Sequence, residues 1–487
     1  MVEGAAPTAL MGAAMADLNV DLCVIGAGSG GLSVAAGASQ LGQKVVLIEK
    51  HKMGGDCLNY GCVPSKALLA AAKAAHRHQG DARYGLASTA PKIDFAATMA
   101  HVRGVIAAIA PVDSVARYTG LGVDVIEATG RFTGPDTVEA GGKTIRARHF
   151  VVATGSTPFV PALPGLDNLP CFTNETIFDN HTCPDHLVVV GGGPIGLELA
   201  QAHRRLGAEV TVIEMATALP KDDPELATIV VNRLRAEGIR ILERTQVVGV
   251  DGTAGDIRVT VKDAGGSYRV AGSHLLMAVG RRPNVAGMGL EAAGIETNRA
   301  GIVVDRGLRT TNKRIYAVGD VAGGPQFTHV AGYHAGIVIR RMLFKLPAKV
   351  DYAALPWVTY TDPELAHVGL TEAQARLRRG DLKVLRWPFA ENDRAIAERD
   401  TDGFVKVLTT GRGRILGASI VGANAGDLLQ PWTLAISAGL GISKMAGAIA
   451  PYPTRSEAGK RAAGSYFVPG LFSARTRKIV RFLARFG

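Results

Sequence analysis

Histidine is missing after His367, cysteine after Cys183 and acidic side chains after Glu457 in this 487-residue chain. The C-terminal quarter therefore offers no imidazole for proton transfer near neutral pH. Zinc takes four ligands, and no second Cys or His cluster at short spacing accompanies Cys57 and Cys62, so no metal site is expected. Long apolar runs are also lacking. Arg103 interrupts one candidate and Lys444 another, and no transmembrane helix is expected. Residues 1–19 have no basic start and contain Glu3 and Asp17, which reads as a loose extension and not as a secretory signal. The cysteines number five, an odd count that suits a reducing compartment better than a secreted disulfide scaffold. The cytoplasm is the expected location.

Apolar residues make up 47% and charged residues 20%, the balance of a globular chain long enough for about three domains. Net charge is +11, but seven positive side chains and no acid follow Glu457, so the rest is only mildly basic. Nucleic acid is not an expected partner.

One unit occurs twice. Leu22–Glu49 and Leu187–Glu214 match in register at an offset of 165 residues. Each reads as an apolar strand, a glycine turn (Gly26, Gly28, Gly31; Gly191, Gly193, Gly196), a helix, and a second strand ending in an acid, Glu49 or Glu214. Such turns let the backbone approach a pyrophosphate at the helix N-terminus, and the acid accepts hydrogen bonds from ribose hydroxyls. Two complete copies are far more specific than one glycine triplet. Glu214 would repel a 2′-phosphate, so NADH is favoured over NADPH, which stays possible. Arg204 and Arg205, on the helix before that strand, are read as solvated surface.

Cys57 and Cys62 stand five positions apart, shortly after the first unit. A thiol pair beside a bound dinucleotide can accept two electrons and pass them on by exchange. Two dinucleotides and such a pair suggest electron flow from a nicotinamide through a flavin to a disulfide. Cys23 reads as plain core, and Cys171 and Cys183 as linker thiols.

These motifs resemble the pyridine nucleotide–disulfide oxidoreductases of the glutathione reductase, dihydrolipoamide dehydrogenase and mercuric reductase group. The resemblance spans Asp21 to Phe467 and includes Gly54–Lys66, Ala153-Thr154-Gly155, Gly280–Asn284, Ile315–Asp320 and Tyr360–Glu364. It implies an α/β protein with two Rossmann-like dinucleotide-binding domains, for FAD and NAD, and a C-terminal α+β dimerisation domain. The implied boundaries are 20–155 and 280–350 for the two parts of the FAD domain and 156–279 for the NAD domain. Residues 351–467 would form the dimerisation domain and 468–487 a tail. Cys62 would face the flavin and Cys57 would meet the substrate, with Lys66 and Glu198 as an ion pair beside the flavin. Asp320, after Gly319, would bind the ribityl chain, and Thr328 and His329 would lie under the ring. Gly55, Thr154, Gly155, Gly280 and Arg281 complete the implied cofactor contacts. Pro194 takes the place of the aromatic lid common at the family's nicotinamide site. The active site would be shared across a homodimer.

One position departs from the family's disulfide reductases. Where they carry His-Pro-Thr-x-x-Glu, this chain reads Tyr452-Pro453-Thr454-Arg455-Ser456-Glu457. A phenol with a pKa near 10 does not suit the protonation of a leaving thiolate near neutral pH, and losing such a group costs about 10²- to 10⁴-fold in rate. A tyrosine here is similar to mercuric reductases, whose soft metal ion binds thiolates directly. Tyr452 and Glu457 are therefore expected at an acceptor site for a soft metal ion or small molecule, although the terminal Cys-Cys pair and N-terminal metal-capturing module usual in those enzymes are absent from this sequence. The alternatives are a dihydrolipoamide dehydrogenase-like enzyme and a non-catalytic, membrane-associated redox sensor or scaffold.

Residues 473–487 suggest a helix with Ile479, Phe482, Leu483 and Phe486 on one face and Arg477, Lys478, Arg481 and Arg485 on the other. Two readings are open: packing on its own subunit, or peripheral docking at the inner face of a membrane.

Overall fold

The computed structural model of the chain describes residues 16–486 apart from 79, 80, 82, 83, 88 and 379. The chain divides into two compact units, one of residues 1–59, 106–157 and 281–350 and one of residues 60–105, 158–280 and 351–487.

In the first unit, four strands run parallel in the order Val123–Glu127, Val45–Glu49, Ala16–Ile25 and Lys143–Val152. Ile315–Ala317 adds in parallel to the end of Lys143–Val152, whose beginning pairs antiparallel with Thr137–Ala140. Both faces of the sheet are covered. Leu22, Val24, Val45 and Leu47 point into one core cluster, and Cys23, Ile25, Val46 and Ile48 into the other. The unbroken apolar runs at Leu22–Ile25 and Val45–Ile48 follow from this, because alternating side chains of a parallel strand are all buried. Cys23 is fully buried, which pushes its thiol pKa up.

Residues 16–19 correct the expectation of a loose extension through residue 19: they are strand, paired with Lys143–Arg146. The apolar alternation of Leu18 and Val20 finds a partner only once Lys143–Val152 is in place. The remainder of the expected extension, residues 1–15, lies outside the described residues.

The second unit carries the repeat copy. Its parallel sheet has the order Arg240–Leu242, Glu209–Ile213, His186–Val190 and His274–Met277. A five-stranded antiparallel sheet, Pro356–Thr359, Glu364–Gly369, Ile415–Gly422, Phe404–Thr410 and Leu382–Pro388, is covered by the helices Ala425–Ser437 and Glu457–Ser465 around buried Trp432. Arg205 is another correction. It is buried, bonded to Glu237 at 2.7 Å and Asp362 at 3.0 Å, because two acids distant in sequence compensate its charge. Arg204 donates to the Glu237 carbonyl at 2.8 Å.

One helical stretch, 95–120, is by length and composition apolar enough to cross a bilayer, contrary to the sequence reading. It is divided into Phe95–Ile109, the 3₁₀ turn Ala110–Asp113 containing Pro111, and Val115–Gly120 capped by Ser114. Phe95, Met99 and Val102 are buried in the protein. At the C-terminus the helices Val468–Leu471 and Ala474–Leu483 have no buried residue.

Candidate active site

The two glycine turns agree in detail. Gly26 and Gly191 have φ of +105° and +117°, and a Cβ on either would fall 2.4 Å from a carbonyl oxygen, that of Ala153 or Ala278. A Cβ on Gly31 would stand 1.8 Å from the Gly26 oxygen, and one on Gly196 would stand 2.0 Å from the Gly191 oxygen. These four positions exclude side chains by contact with backbone. Gly28 and Gly193 differ, since a Cβ there would meet nothing within 4 Å. Each is the N-cap of its helix, Ser29–Gln40 or Pro194–Arg205, without a side-chain cap. Open space in front of a helix N-terminus is where a pyrophosphate binds.

The two acids are held alike. Glu49 accepts from the backbone N–H of Ala27 at 2.7 Å and of His51 at 2.8 Å. Glu214 accepts from Gly192 at 2.7 Å and from Ala216 at 2.8 Å. Each carboxylate is thus oriented by two donors and retains acceptor capacity for ribose hydroxyls.

Asp320 lies in the 3₁₀ turn Gly319–Ala322 and accepts from Ser156 Oγ at 2.6 Å, while burial pushes its carboxyl pKa up. Arg281 donates to Ser156 Oγ at 2.7 Å and to Asp56 at 3.0 Å. Thr154 Oγ1 donates to the Asn284 carbonyl at 2.8 Å, and Gly155 has φ +65°. Gly280, in the other unit, has φ +128°. Thr328 opens the helix Thr328–Met342, and the His329 ring stacks on Phe327 at 5.2 Å. Sequence reasoning missed His334, one turn further on. Its Nδ1 accepts from the Gly319 N–H at 3.1 Å, and burial holds the ring neutral with a pKa lowered to about 4.

Gly55 and Cys57 are in the short helix Gly55–Asn59, and Cys62 begins the helix Cys62–His78. A Cβ on Gly55 would lie 2.7 Å from the Gly28 Cα, so only glycine allows that approach to the turn. Cys57 is half-buried, and Cys62 is exposed at the end of a helix that favours negative charge. Within the second unit Lys66 Nζ meets Glu198 Oε2 at 2.7 Å, Glu198 being 4% exposed. The other Glu198 oxygen accepts from the Tyr360 N–H at 2.9 Å, and the Tyr360 ring lies 4.4 Å from Lys66 Nζ. Burial and then the Glu198 charge raise the Tyr360 pKa. Tyr360 stands in a quoted motif, yet no local pattern marked it as part of this group.

Tyr452 is 71% exposed in the protomer, and its hydroxyl donates to Asp393 at 3.0 Å. That bond, with the Asp393 and Glu457 charges, raises the phenol pKa further. Glu457 opens the helix Glu457–Ser465. The loop is fastened by Asn392 Nδ2 donating to the Thr454 carbonyl at 3.0 Å and by buried Arg455 bonded to Glu398 at 2.9 Å and Asp400 at 3.1 Å. Asp393 carried no signal in the sequence, where it is one acid in a charged run. Among the described residues no group of three or more His, Cys, Asp or Glu is placed to hold a metal ion.

Two dinucleotide turns with matched acids, and thiols following the first, define an oxidoreductase that uses two dinucleotides. Residues 20–335 match the pyridine nucleotide-disulphide oxidoreductase family, and residues 355–463 match the dimerisation domain of that family. The chain belongs to this family, whose members are FAD-dependent enzymes using NAD(P)H, and the second match supports a homodimer. It is 39% identical to the mercuric reductase of Streptomyces lividans, over 92% of this chain and 96% of that protein. It is 35% identical to the dihydrolipoyl dehydrogenase of Geobacillus stearothermophilus, again over 92% and 96%. Among solved structures, the Cu(II) complex of the HOCl-induced flavoprotein disulfide reductase RclA from Escherichia coli superposes with a TM-score of 0.82 at 28% identity, covering 91% of this chain and 99% of that one.

FAD fits the first copy. The uncluttered Gly28 turn would take its pyrophosphate, Glu49 its ribose and Asp320 its ribityl hydroxyls.

Proposed function

We propose that this enzyme passes electrons from NADH through FAD and the Cys57 and Cys62 thiols to a soft metal ion, with Hg(II) as the type acceptor. When bound, the nicotinamide supplies a hydride and the flavin relays its two electrons. With Hg(II), NADH and the ion give NAD⁺, one proton and Hg(0). The chain's own residues bind and orient. Glu214, held by the Gly192 and Ala216 amides, is a fixed negative charge where NADPH would carry its 2′-phosphate. Lys66, paired with Glu198, sets a cation beside the flavin. Cys57 and Cys62 hold the acceptor as thiolates, and Tyr452 and Glu457 of the other subunit line its place.

The observation that carries this reading is the Tyr452–Asp393 bond. A phenol that donates to a carboxylate, with its pKa raised, keeps its proton at neutral pH and does not perform the acid–base work of a histidine. Metal transfer between thiolates needs no such work. The name of the mercuric reductase relative supports the same acceptor class, and RclA is a flavoprotein disulfide reductase whose structure is a Cu(II) complex. The dihydrolipoyl dehydrogenase relatives support the competing disulfide reading. NADH oxidation measured with Hg(II), Cu(II), lipoamide, oxidised glutathione and a quinone, each repeated with Cys57→Ser, decides between them. Metal-dependent turnover lost in Cys57→Ser is expected; fast lipoamide turnover by the unaltered enzyme would refute the metal reading.

We place the enzyme in the cytoplasm. A peripheral membrane contact would come from residues 473–487, whose chemistry is separate from the electron path.

A further inference from the structure

The match to the dimerisation domain stops at residue 463, and the helix Ala474–Leu483 follows it. Its start is well defined: Ser473 Oγ accepts from the Thr476 N–H at 3.1 Å, and Thr476 Oγ1 donates to the Gly470 carbonyl at 2.7 Å. Successive helical residues are about 100° apart, which sets Ile479, Phe482 and Leu483 on one side and Arg477, Lys478 and Arg481 on the other, and just past the helix the Phe486 ring meets Phe482 at 5.2 Å. In a helix that packs on its own subunit the apolar side is buried. Here Ile479 is 48%, Phe482 56%, Leu483 59% and Phe486 75% exposed, and Leu471 and Phe472 just upstream are exposed as well. Packing on its own subunit, one of the two readings of the sequence, is not what the fold does. Contiguous exposed apolar surface of this kind marks a docking site.

Charge selects the occupant. No acid follows Glu457, seven cations do, and the whole chain carries +11. A second copy of this chain would bring like charge against like. A surface of fixed negative charge over an apolar interior satisfies both sides of the helix at once. We propose that residues 468–486 dock the enzyme on an anionic lipid bilayer, with Ile479, Phe482, Leu483 and Phe486 at the acyl boundary and Arg477, Lys478, Arg481 and Arg485 among the headgroups. Ten residues of helix extend only about 15 Å, so the segment lies in the interface and does not span it.

The test is flotation of the FAD-loaded full-length enzyme with phosphatidylcholine vesicles, with and without about a third phosphatidylglycerol, at low and high salt. Binding is expected only to the anionic vesicles and is expected to weaken at high salt as screening shortens the reach of each charge. Arg477→Glu, Lys478→Glu and Arg481→Glu together should lower partitioning at least about a hundredfold, from five- to sixfold per basic residue at the surface. Phe482→Ser with Leu483→Ser should abolish it at unchanged charge. Equal flotation of all forms, or none by the unaltered enzyme, overturns the proposal. So does sedimentation of the unaltered enzyme above the mass of a dimer with reversion to a dimer in Phe482→Ser/Leu483→Ser, which would make a second copy the occupant. NADH oxidation without vesicles reports separately on the electron path and is expected to be the same in every form.

Discussion

Lys66→Met tests whether the Lys66–Glu198 ion pair is held by charge or by packing. Lys66 Nζ and Glu198 Oε2 are 2.7 Å apart, with side-chain exposures of 37% and 6%. At an effective dielectric constant of about 20 the gross attraction at that distance is about 6 kcal/mol. Partial exposure of Lys66 and the desolvation of Glu198 reduce the net coupling to about 2 kcal/mol. Methionine keeps the stem against the Tyr360 ring but leaves the Glu198 carboxylate buried without a cation. Glu198→Gln keeps an oxygen for the Tyr360 N–H, a bond of 2.9 Å, and removes the charge. Each single variant should therefore be destabilised by about 2–3 kcal/mol, and the double variant by about 2 kcal/mol less than their sum. Urea unfolding at saturating FAD measures all four corners of the cycle under one ligand condition. The rate of flavin bleaching by NADH should fall in Lys66→Met as well. A coupling below about 0.5 kcal/mol would refute the electrostatic account, since independent sites add to within that margin.

Tyr452→His should raise NADH-dependent lipoamide reduction about 100-fold, since it restores an imidazole that titrates near neutrality; an unchanged rate would mean the phenol is not what limits disulfide turnover. Lys406, 3% exposed, is bonded to Asp223 and Glu372 at 2.6 Å and to Glu225 at 3.0 Å, so Lys406→Met should cost about 3–5 kcal/mol in urea unfolding, against a small cost if the cluster is neutral in effect. Burial lowers the pKa values of His203 and His367 to about 4, below the unfolded value near 6.5. The unfolded chain then binds more protons over that interval, and each histidine removes up to about 3 kcal/mol of stability as pH falls from 7 to 4. His203→Phe, whose ring would pack on Phe95, should flatten that acid limb, and an unchanged slope would count against it. Glu214→Ala should raise kcat/KM for NADPH relative to NADH; an unaltered ratio would show that the carboxylate does not choose the nicotinamide.

What was legible in the sequence was local and repeated. Leu22–Glu49 and Leu187–Glu214 each contain a strand, turn, helix and strand in one short unbroken stretch, so the glycines at the close backbone approaches and the acids at the strand ends could be located from spacing alone. Lys66 and Glu198 came from resemblance, being 132 residues apart with no pattern joining them. Residues defined by distant partners were misread or missed. Arg205 read as solvated because its compensating acids, Glu237 and Asp362, lie 32 and 157 residues away. Asp393 meets Tyr452 only because Asn392 and Arg455 fasten two loops together. Strand pairing hid Ala16–Asn19 in the same way, since an isolated half-apolar segment becomes a strand only beside Lys143–Val152.

The near identity of the two copies locates their difference in function elsewhere. Both acids accept the same pair of amide bonds, at 2.7 and 2.8 Å, and both turns exclude side chains at the first and third glycine by contact with backbone. Neither the turn nor the acid can then distinguish a flavin dinucleotide from a nicotinamide one. In the first copy the chain after Glu49 returns to the turn, and Gly55 packs so closely on Gly28 that a Cβ would be 2.7 Å from its Cα. That return carries Cys57 in the same short helix, Gly55–Asn59. In the second copy the chain after Glu214 runs through exposed Met215 to a proline-led helix, Pro224–Ala236, with no cysteine. On the proposed reading, the segment after the second strand, more than the Rossmann unit itself, would make the first site a redox relay and leave the second a place for a substrate that comes and goes.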